Sequence, residues 1–289
     1  MIDGVLPDPR RHVYRADLAA ASLRGRVTAP RYVIGEERQL TLPVRPLRKE
    51  PRFDAGLDSE ALFGETVTVY DESESWAWVQ LARDGHVGYM PSEGLASQIL
   101  GPSHRVTALR TYVHPEPDIK SPPRAILSLN SLVTATAAEG RFLALADGGF
   151  VFAGHAAPMG EIAQDYVAVA EAFVGTPYLW GGRTSFGVDC SGLVQLALEA
   201  AGLSCPRDSD MQATELGRLV EEGQGTLQRG DLVFWPDHVG IMLDATRLLH
   251  ANAHHMATAV EPLAMAAERI AKTGSPVLCV RRLQDLSVR

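Results

Sequence analysis

The alternation of apolar and polar positions divides the chain into stretches of different texture. Residues 12–24 (HVYRADLAAASLR) have a weak helical spacing and belong to an N-terminal arm over residues 1–29. From about Tyr32 the pattern breaks into short runs. The stretch from Glu65 to Ser73 (ETVTVYDES) alternates with period two, as a half-buried strand does, and WAWVQLA follows across a polar turn, Glu72 to Ser75. DGHVGYMPSEGL then forms a glycine-punctuated strand pair, and prolines at 43, 46 and 51 place a long loop ahead of the set. This spacing predicts a small all-β barrel over residues 30–98. Residues 99–158 repeat the order more faintly: a strand and a proline-rich loop (HRVTALRTYVHPEPDIKSPP), then three short strands (NSLVTATAAEGRFLALADGGFVFAGH). A second small barrel, a degenerate internal repeat of the first, is expected there.

The texture changes again over residues 159–289. EIAQDYVAVAEAFVG has helical spacing, with Ile162, Val169 and Phe173 on one face and Gly175 placed to end the helix. TPYLWGGRTSFGVD is a turn-rich loop, and CSGLVQLALEAAG is a second helix stopped at Gly202. DLVFW, HVGIMLD, RLLHANA and PVLCVRRL follow as four strands. Helices first and an antiparallel sheet after them define an α+β domain.

Composition narrows the function classes. A 289-residue chain that is 46% hydrophobic can bury sizeable cores, and length alone suggests two domains or so. The net charge is −8 and no run of Lys or Arg occurs, which argues against a nucleic-acid partner and an anionic membrane surface. Three cysteines, Cys190, Cys205 and Cys279, stand far apart with no C-x-x-C pair, so neither a structural zinc site nor a disulfide framework is expected. Charged residues interrupt every apolar run near the N-terminus, and no run reaches membrane-spanning length. The expectation is a cytoplasmic protein with free thiols and no cofactor or metal.

Cys190 is the candidate nucleophile. It opens a helix, where unpaired amides and the helix dipole favour thiolate over thiol. Its neighbours Asp189, Ser191 and Gly192 are polar or small, unlike a core segment. Cys205 and Cys279 have no base in view and are expected to be inert. His238 opens the strand HVGIMLD and can serve as general base. His250 lies near the end of the next strand and can orient His238; Asn252, on the same strand face, competes for that role. His254 and His255 belong to a solvated loop.

TPYLWGGRTSFGVDCSGLVQ resembles the signature of the NlpC/P60 cell-wall peptidases. RGDLVFW with HVGIMLD resembles the block carrying that family's catalytic His, LLHANA the block with the orienting His, and CPRDSDMQ the segment between. LFGETVTVYDESESWAWVQL with DGHVGYMP resembles bacterial SH3 domains, in particular the two that precede the peptidase domain in cytoplasmic murein-peptide hydrolases. The resemblance implies two small SH3-like barrels followed by an α+β, papain-like peptidase domain. It implies catalytic roles for Cys190, His238 and His250, and an oxyanion or substrate contact from Tyr178. Asp189, Ser191 and Ser209 would bind substrate polar groups, Trp180 would pack the loop, and Glu65 and His86 of the first SH3-like domain would bind the substrate amine. The implied reaction is hydrolysis of the γ-D-glutamyl–diamino acid amide of murein stem peptides, on short peptides with a free N-terminal L-Ala, in recycling. The alternatives are a thiol amidase or acyltransferase on another substrate, and a non-catalytic peptide-binding protein. The diamino acid and the oligomeric state stay open.

Overall fold

A computed structural model describes residues 6–221 and 226–283. The chain forms two compact units, Met1–Met159 and Gly160–Arg289. Among the described residues no helix is long and apolar enough to cross a membrane.

The first unit is built from short antiparallel strands. A seven-stranded sheet has the order Leu57–Leu62, Val44–Arg48, Val87–Pro91, Trp76–Leu81, Thr66–Ser73, Glu36–Leu40, Leu95–Ala96. Its two edge strands do not pair with each other, so the expected closed barrel is replaced by an open sheet. The predicted hairpin is present with a tighter turn: Glu74 and Ser75 both take positive φ, 51° and 67°, the two-residue geometry that matches strand twist. The region given to a loop contains the strand Val44–Arg48. Pro46 is tolerated there because the strand meets Val87–Pro91 only at Arg48 opposite Tyr89.

The strand Trp76–Leu81 is buried on both faces. Ala77, Val79 and Leu81 join Leu40, Leu47, Val67 and Met90 in one core. Trp78 faces the other way and is covered by Val13, Leu18, Ala20, Leu23 and Val27. The expected helical arm is therefore a packed cover. Leu18–Ala20 pairs in parallel with Arg31–Val33, and one 3₁₀ turn, Ala21–Leu23, is the helical structure found in it. Covering Trp78 and its aromatic neighbours removes more apolar surface from water than a free amphipathic helix could.

Residues 104–158 form a three-stranded and a five-stranded sheet around Val106, Val113, Leu127, Val133, Leu145 and Val151. Phe63, from the loop between two strands of the large sheet, packs against this core, and its carbonyl accepts from the Leu132 N–H at 2.8 Å. A Cβ on Gly64 would stand 2.1 Å from the Leu132 oxygen, so only glycine allows this approach.

The second unit is α+β. Helix α1 (Tyr166–Glu171) is capped by Asp165, whose carboxylate accepts from the Val167 and Ala168 amides. It buries Tyr166, Val167 and Ala170; of the expected apolar face only Phe173 is fully inside, and Ile162 is exposed. Helix α2 spans Cys190–Ala200. Gly202, at φ 74°, ends it in a Schellman motif: the Leu203 and Gly202 amides donate to the Leu198 and Glu199 carbonyls. Helix α3 spans Ser209–Glu215. A six-stranded antiparallel sheet has the order Arg218–Leu219, Cys279–Arg282, Leu232–Trp235, His238–Met242, Arg247–Asn252, Ala257–Pro262. The last of these strands and the following helix α4 (Leu263–Ala271) were not expected. Leu263, Ala266 and Ile270 of α4 pack on Val233, Trp235, Met242 and Leu248.

Candidate active site

The start of α2 is held by a buried ionic knot. Asp189 is its N-cap: Oδ1 accepts from the Gly192 N–H at 2.7 Å, and Oδ2 accepts from the Gly181 N–H at 2.8 Å. Arg207 is 2% exposed and binds the same carboxylate with both terminal nitrogens, Nη1 at 3.0 Å and Nη2 at 2.6 Å. Its Nη1 also donates to Ser191 Oγ at 2.8 Å, and Ser191 Oγ donates to Asp189. Gln212 ties the loop down by donating to the carbonyls of Ser191 and Pro206. Asp189 and Ser191, expected to bind substrate, are thus occupied inside the protein. A buried carboxylate needs a cation, and Arg207 supplies it in bidentate geometry. A Cβ on Gly192 would stand 2.4 Å from the Gly182 carbonyl oxygen, so the Trp-Gly-Gly loop lies directly on the helix start.

Cys190 opens α2 and is 6% exposed. Its Sγ lies 4.0 Å from the Asp237 carbonyl oxygen and next to the Val239 N–H, at the start of the strand that His238 opens. Pro236 and Asp237 (φ 59°) make the tight turn before His238. His238 Nε2 is 2.8 Å from His250 Nδ1, and His250 Nε2 is 2.8 Å from Glu261 Oε1. Arg269 of α4 donates to both Glu261 oxygens, at 2.8 and 2.5 Å. Gly240 makes room for this row: a Cβ there would meet His250 Cβ at 3.2 Å. Asn252, the competing orienter, instead donates to the His250 carbonyl and accepts from the His255 N–H at 2.9 Å.

These contacts assign the protons. Glu261, held by Arg269 and His250 with its pKa at about 2, is ionised and only accepts. His250 then donates from Nε2 and accepts at Nδ1. His238 donates from Nε2, which leaves the lone pair on its Nδ1. Burial lowers the pKa of His238 to about 3 and of His250 to about 4, so both rings are neutral at pH 7.

The thiolate expected at the helix start is not the resting form. Burial, with the Asp189 charge next, pushes the Cys190 thiol up to about 12. Desolvation of the sulfur outweighs the helix dipole and the nearby amides. The resting pair is therefore thiol and neutral imidazole. Alkylation of Cys190 by iodoacetamide is accordingly expected to accelerate roughly tenfold per pH unit from pH 6 to 9 without levelling. A rate that is already flat below pH 7 would demonstrate a preformed ion pair.

The other nominated residues fall in different places. Burial, then the proximity of Cys190 and Asp189, raises the pKa of the half-buried Tyr178 phenol, which stays protonated and able to donate. Ser209 begins α3, half-buried, and its hydroxyl makes no hydrogen bond to the described residues. Trp180, expected to pack the loop, is 63% exposed. Cys205 is buried against Pro206 and Gln212, and Cys279 lies in the strand Cys279–Arg282. Glu65 is buried within the first unit, where it accepts from the Leu62 N–H at 3.0 Å and pairs with Arg83. Its carboxylate is thus already paired inside the first unit. His86 is 3% exposed, within the first unit.

Arg207 and Gln212 lie in CPRDSDMQ, a segment legible by resemblance but with no role assigned to either residue, while Glu261 and Arg269 were missed. Pro262 followed by the helically spaced LAMAAERIA was the available signal for α4, and with it for the Glu261–Arg269 spacing. His250, His255 and Glu261 bring nitrogen and oxygen atoms within 4.8 Å of one another. His250 and Glu261 are already hydrogen-bonded to each other, so the arrangement is first of all a proton-fixing row.

Residues 175–271, which contain the whole constellation, match the NlpC/P60 family. The chain carries an NlpC/P60 domain. Its residues 47–95 match the bacterial dipeptidyl-peptidase SH3 domain. Two curated relatives, each called gamma-D-glutamyl-L-lysine dipeptidyl-peptidase, align over most of the chain. The Bacillus cereus protein is 26% identical over 72% of this chain and 71% of its own length, and the Bacillus subtilis protein 27% identical over 68% and 73%. Dipeptidyl-peptidase 6 of Lysinibacillus sphaericus is 36% identical over 31% of this chain and 32% of its own length. The crystal structure of an NlpC/P60 family protein from Bacillus cereus superposes with a TM-score of 0.74 over 86% of this chain and 99% of that one, at 20% identity.

Proposed function

We propose that this NlpC/P60 enzyme hydrolyses the γ-D-glutamyl–diamino acid amide of murein stem peptides, with Cys190 as nucleophile, His238 as general base and His250 as its orienter. The observation that carries the chemistry is the row Glu261–His250–His238, which leaves one basic nitrogen available at the strand start beside Cys190. The substrate class is inferred from the two Bacillus relatives and the name they share.

In this reading the Cys190 sulfur attacks the γ-carbonyl carbon while its proton passes to His238 Nδ1. The Cys190 N–H, which donates to none of the described residues, and the Tyr178 hydroxyl stabilise the oxyanion. The C–N bond breaks, the His238 proton goes to the leaving amine, and a thioester remains. Water, deprotonated by the same nitrogen, releases the acid and restores the thiol. Substrates would be short peptides with a free N-terminal L-Ala, consistent with removal of a dipeptide during turnover of wall peptides. A second SH3-like module over residues 99–158 would complete the proposed domain plan.

Defined tri- and tetrapeptides with Lys or diaminopimelate at the third position, with and without N-terminal acyl groups, test this by mass analysis of the products. Release of L-Ala-γ-D-Glu from the unblocked peptides is expected. Cleavage at another bond, or equal turnover of acylated peptides, would reject this substrate assignment.

A further inference from the structure

We propose that Glu261, clamped by Arg269, is a positioning residue that dictates which ring nitrogen of His250 and of His238 carries the proton, and that Arg269 sets the lower pH limit of activity. The proposal rests on the peptidase reading of Cys190 and His238 and extends it to two residues that touch neither sulfur nor substrate.

The geometry leaves little freedom. Glu261 is 8% exposed and diagonal to His250 across the strand pair, since His250 lies opposite Ala259 and Leu248 opposite Glu261. It receives three hydrogen bonds, two from Arg269 and one from the fully buried His250 ring. An ionised carboxylate has no proton to give, so the proton between Glu261 and His250 must sit on His250 Nε2. Neutral His250 has one N–H, so its Nδ1 accepts, and His238 must donate from Nε2. The charge at one end of the row thereby determines that the basic lone pair sits on His238 Nδ1 at the other. If the carboxylate became an amide, its NH₂ could donate to His250 Nε2. Each ring would then switch tautomer and His238 Nδ1 would carry a hydrogen, which cannot accept a thiol proton.

Arg269 adds the pH dependence. The charged and titratable groups facing the row are His238 on the neighbouring strand, Cys190 at the start of α2, His255 in the following turn, Glu261, and Arg269 on α4. The Arg269 cation lowers the Glu261 carboxyl and, by repulsion, also disfavours protonation of His250 and His238. Without it, the carboxylate and both imidazoles would take up protons at higher pH. Either event disables the base. Removing Arg269 should therefore move the acid limb of kcat/KM upward in pH, whereas a purely structural loss would scale the profile without moving it.

Two variants test this. In protein with ¹⁵N-labelled histidine, long-range ¹H–¹⁵N spectra at pH 7 should place protons on Nε2 of both His238 and His250, and Glu261→Gln should convert part or all of both to the other tautomer. The same variant should lose about 10- to 100-fold in kcat with KM changed by less than about threefold. Arg269 is partly exposed, so Arg269→Gln should fold normally, retain most activity at pH 8 and show the acid limb displaced upward. The spectra need no substrate, so they stand apart from the question of which peptide is cleaved. Unchanged tautomers in Glu261→Gln, with or without a loss of kcat, would overturn the positioning role. An acid limb in Arg269→Gln that coincides with wild type would overturn the role given to Arg269. If Glu261→Gln fails to fold, the Arg269→Gln profile and the wild-type spectra decide.

Discussion

Cys190→Ala is expected to reduce peptide hydrolysis by about 10⁴- to 10⁶-fold while the second unit keeps its fold. In the proposed mechanism the sulfur makes the covalent bond, and Cys205, occupied by Pro206 and Gln212, cannot replace it. The structural cost is small. Cys190 is a neutral thiol with one weak 4.0 Å contact to the Asp237 carbonyl, so the substitution strands no charge and breaks no strong hydrogen bond. His238→Ala should come close to the same loss. His250→Ala should retain more activity, because it removes the group that holds the base and leaves the base itself. Asn252→Ala should be milder still, since Asn252 supports the turn at His255 and makes no contact with the His238 ring. Peptide turnover and thermal melts on the same preparations check the series. Residual hydrolysis by Cys190→Ala within about tenfold of wild type would remove Cys190 from the mechanism.

Arg207→Leu should be the most destabilising single change in the second unit, at roughly 3–5 kcal/mol, a lowering of Tm by about 10–20 °C. The substitution leaves the Asp189 carboxylate, which is 7% exposed, without its cation, and Ser191 Oγ without its donor. Asp189 also caps α2 and anchors Gly181, so the nucleophile's helix start and the Trp-Gly-Gly loop should loosen together. Arg207→Lys should recover little. A single ammonium cannot reproduce a planar fork that reaches both carboxylate oxygens and a hydroxyl. Chemical denaturation followed by Trp fluorescence measures the effect. A midpoint within about 0.5 kcal/mol of wild type would show that solvent or another group compensates Asp189.

Local signals in the amino-acid order determined the parts of this protein that depend on neighbouring residues. Asp189 before Cys190, followed by small residues and an apolar run, specifies a capped helix with a cysteine at its first position. Gly202 ends that helix, and Pro236 with Asp237 turns the chain so that His238 opens a strand. These are capping, periodicity and turn effects, each completed within a few residues. Only the tertiary structure decided which buried charges meet. Arg207 reaches Asp189 from 18 positions away, Arg83 takes up Glu65 from the same distance, and Arg269 closes on Glu261 because α4 folds back over the sheet. It also decided the state of the thiol. A helix start favours thiolate, but the finished fold excludes water from Cys190, and desolvation at that depth outweighs the dipole. The covering of Trp78 by residues 13–27 is the same kind of outcome, because weak local helical spacing loses to apolar burial across the sheet.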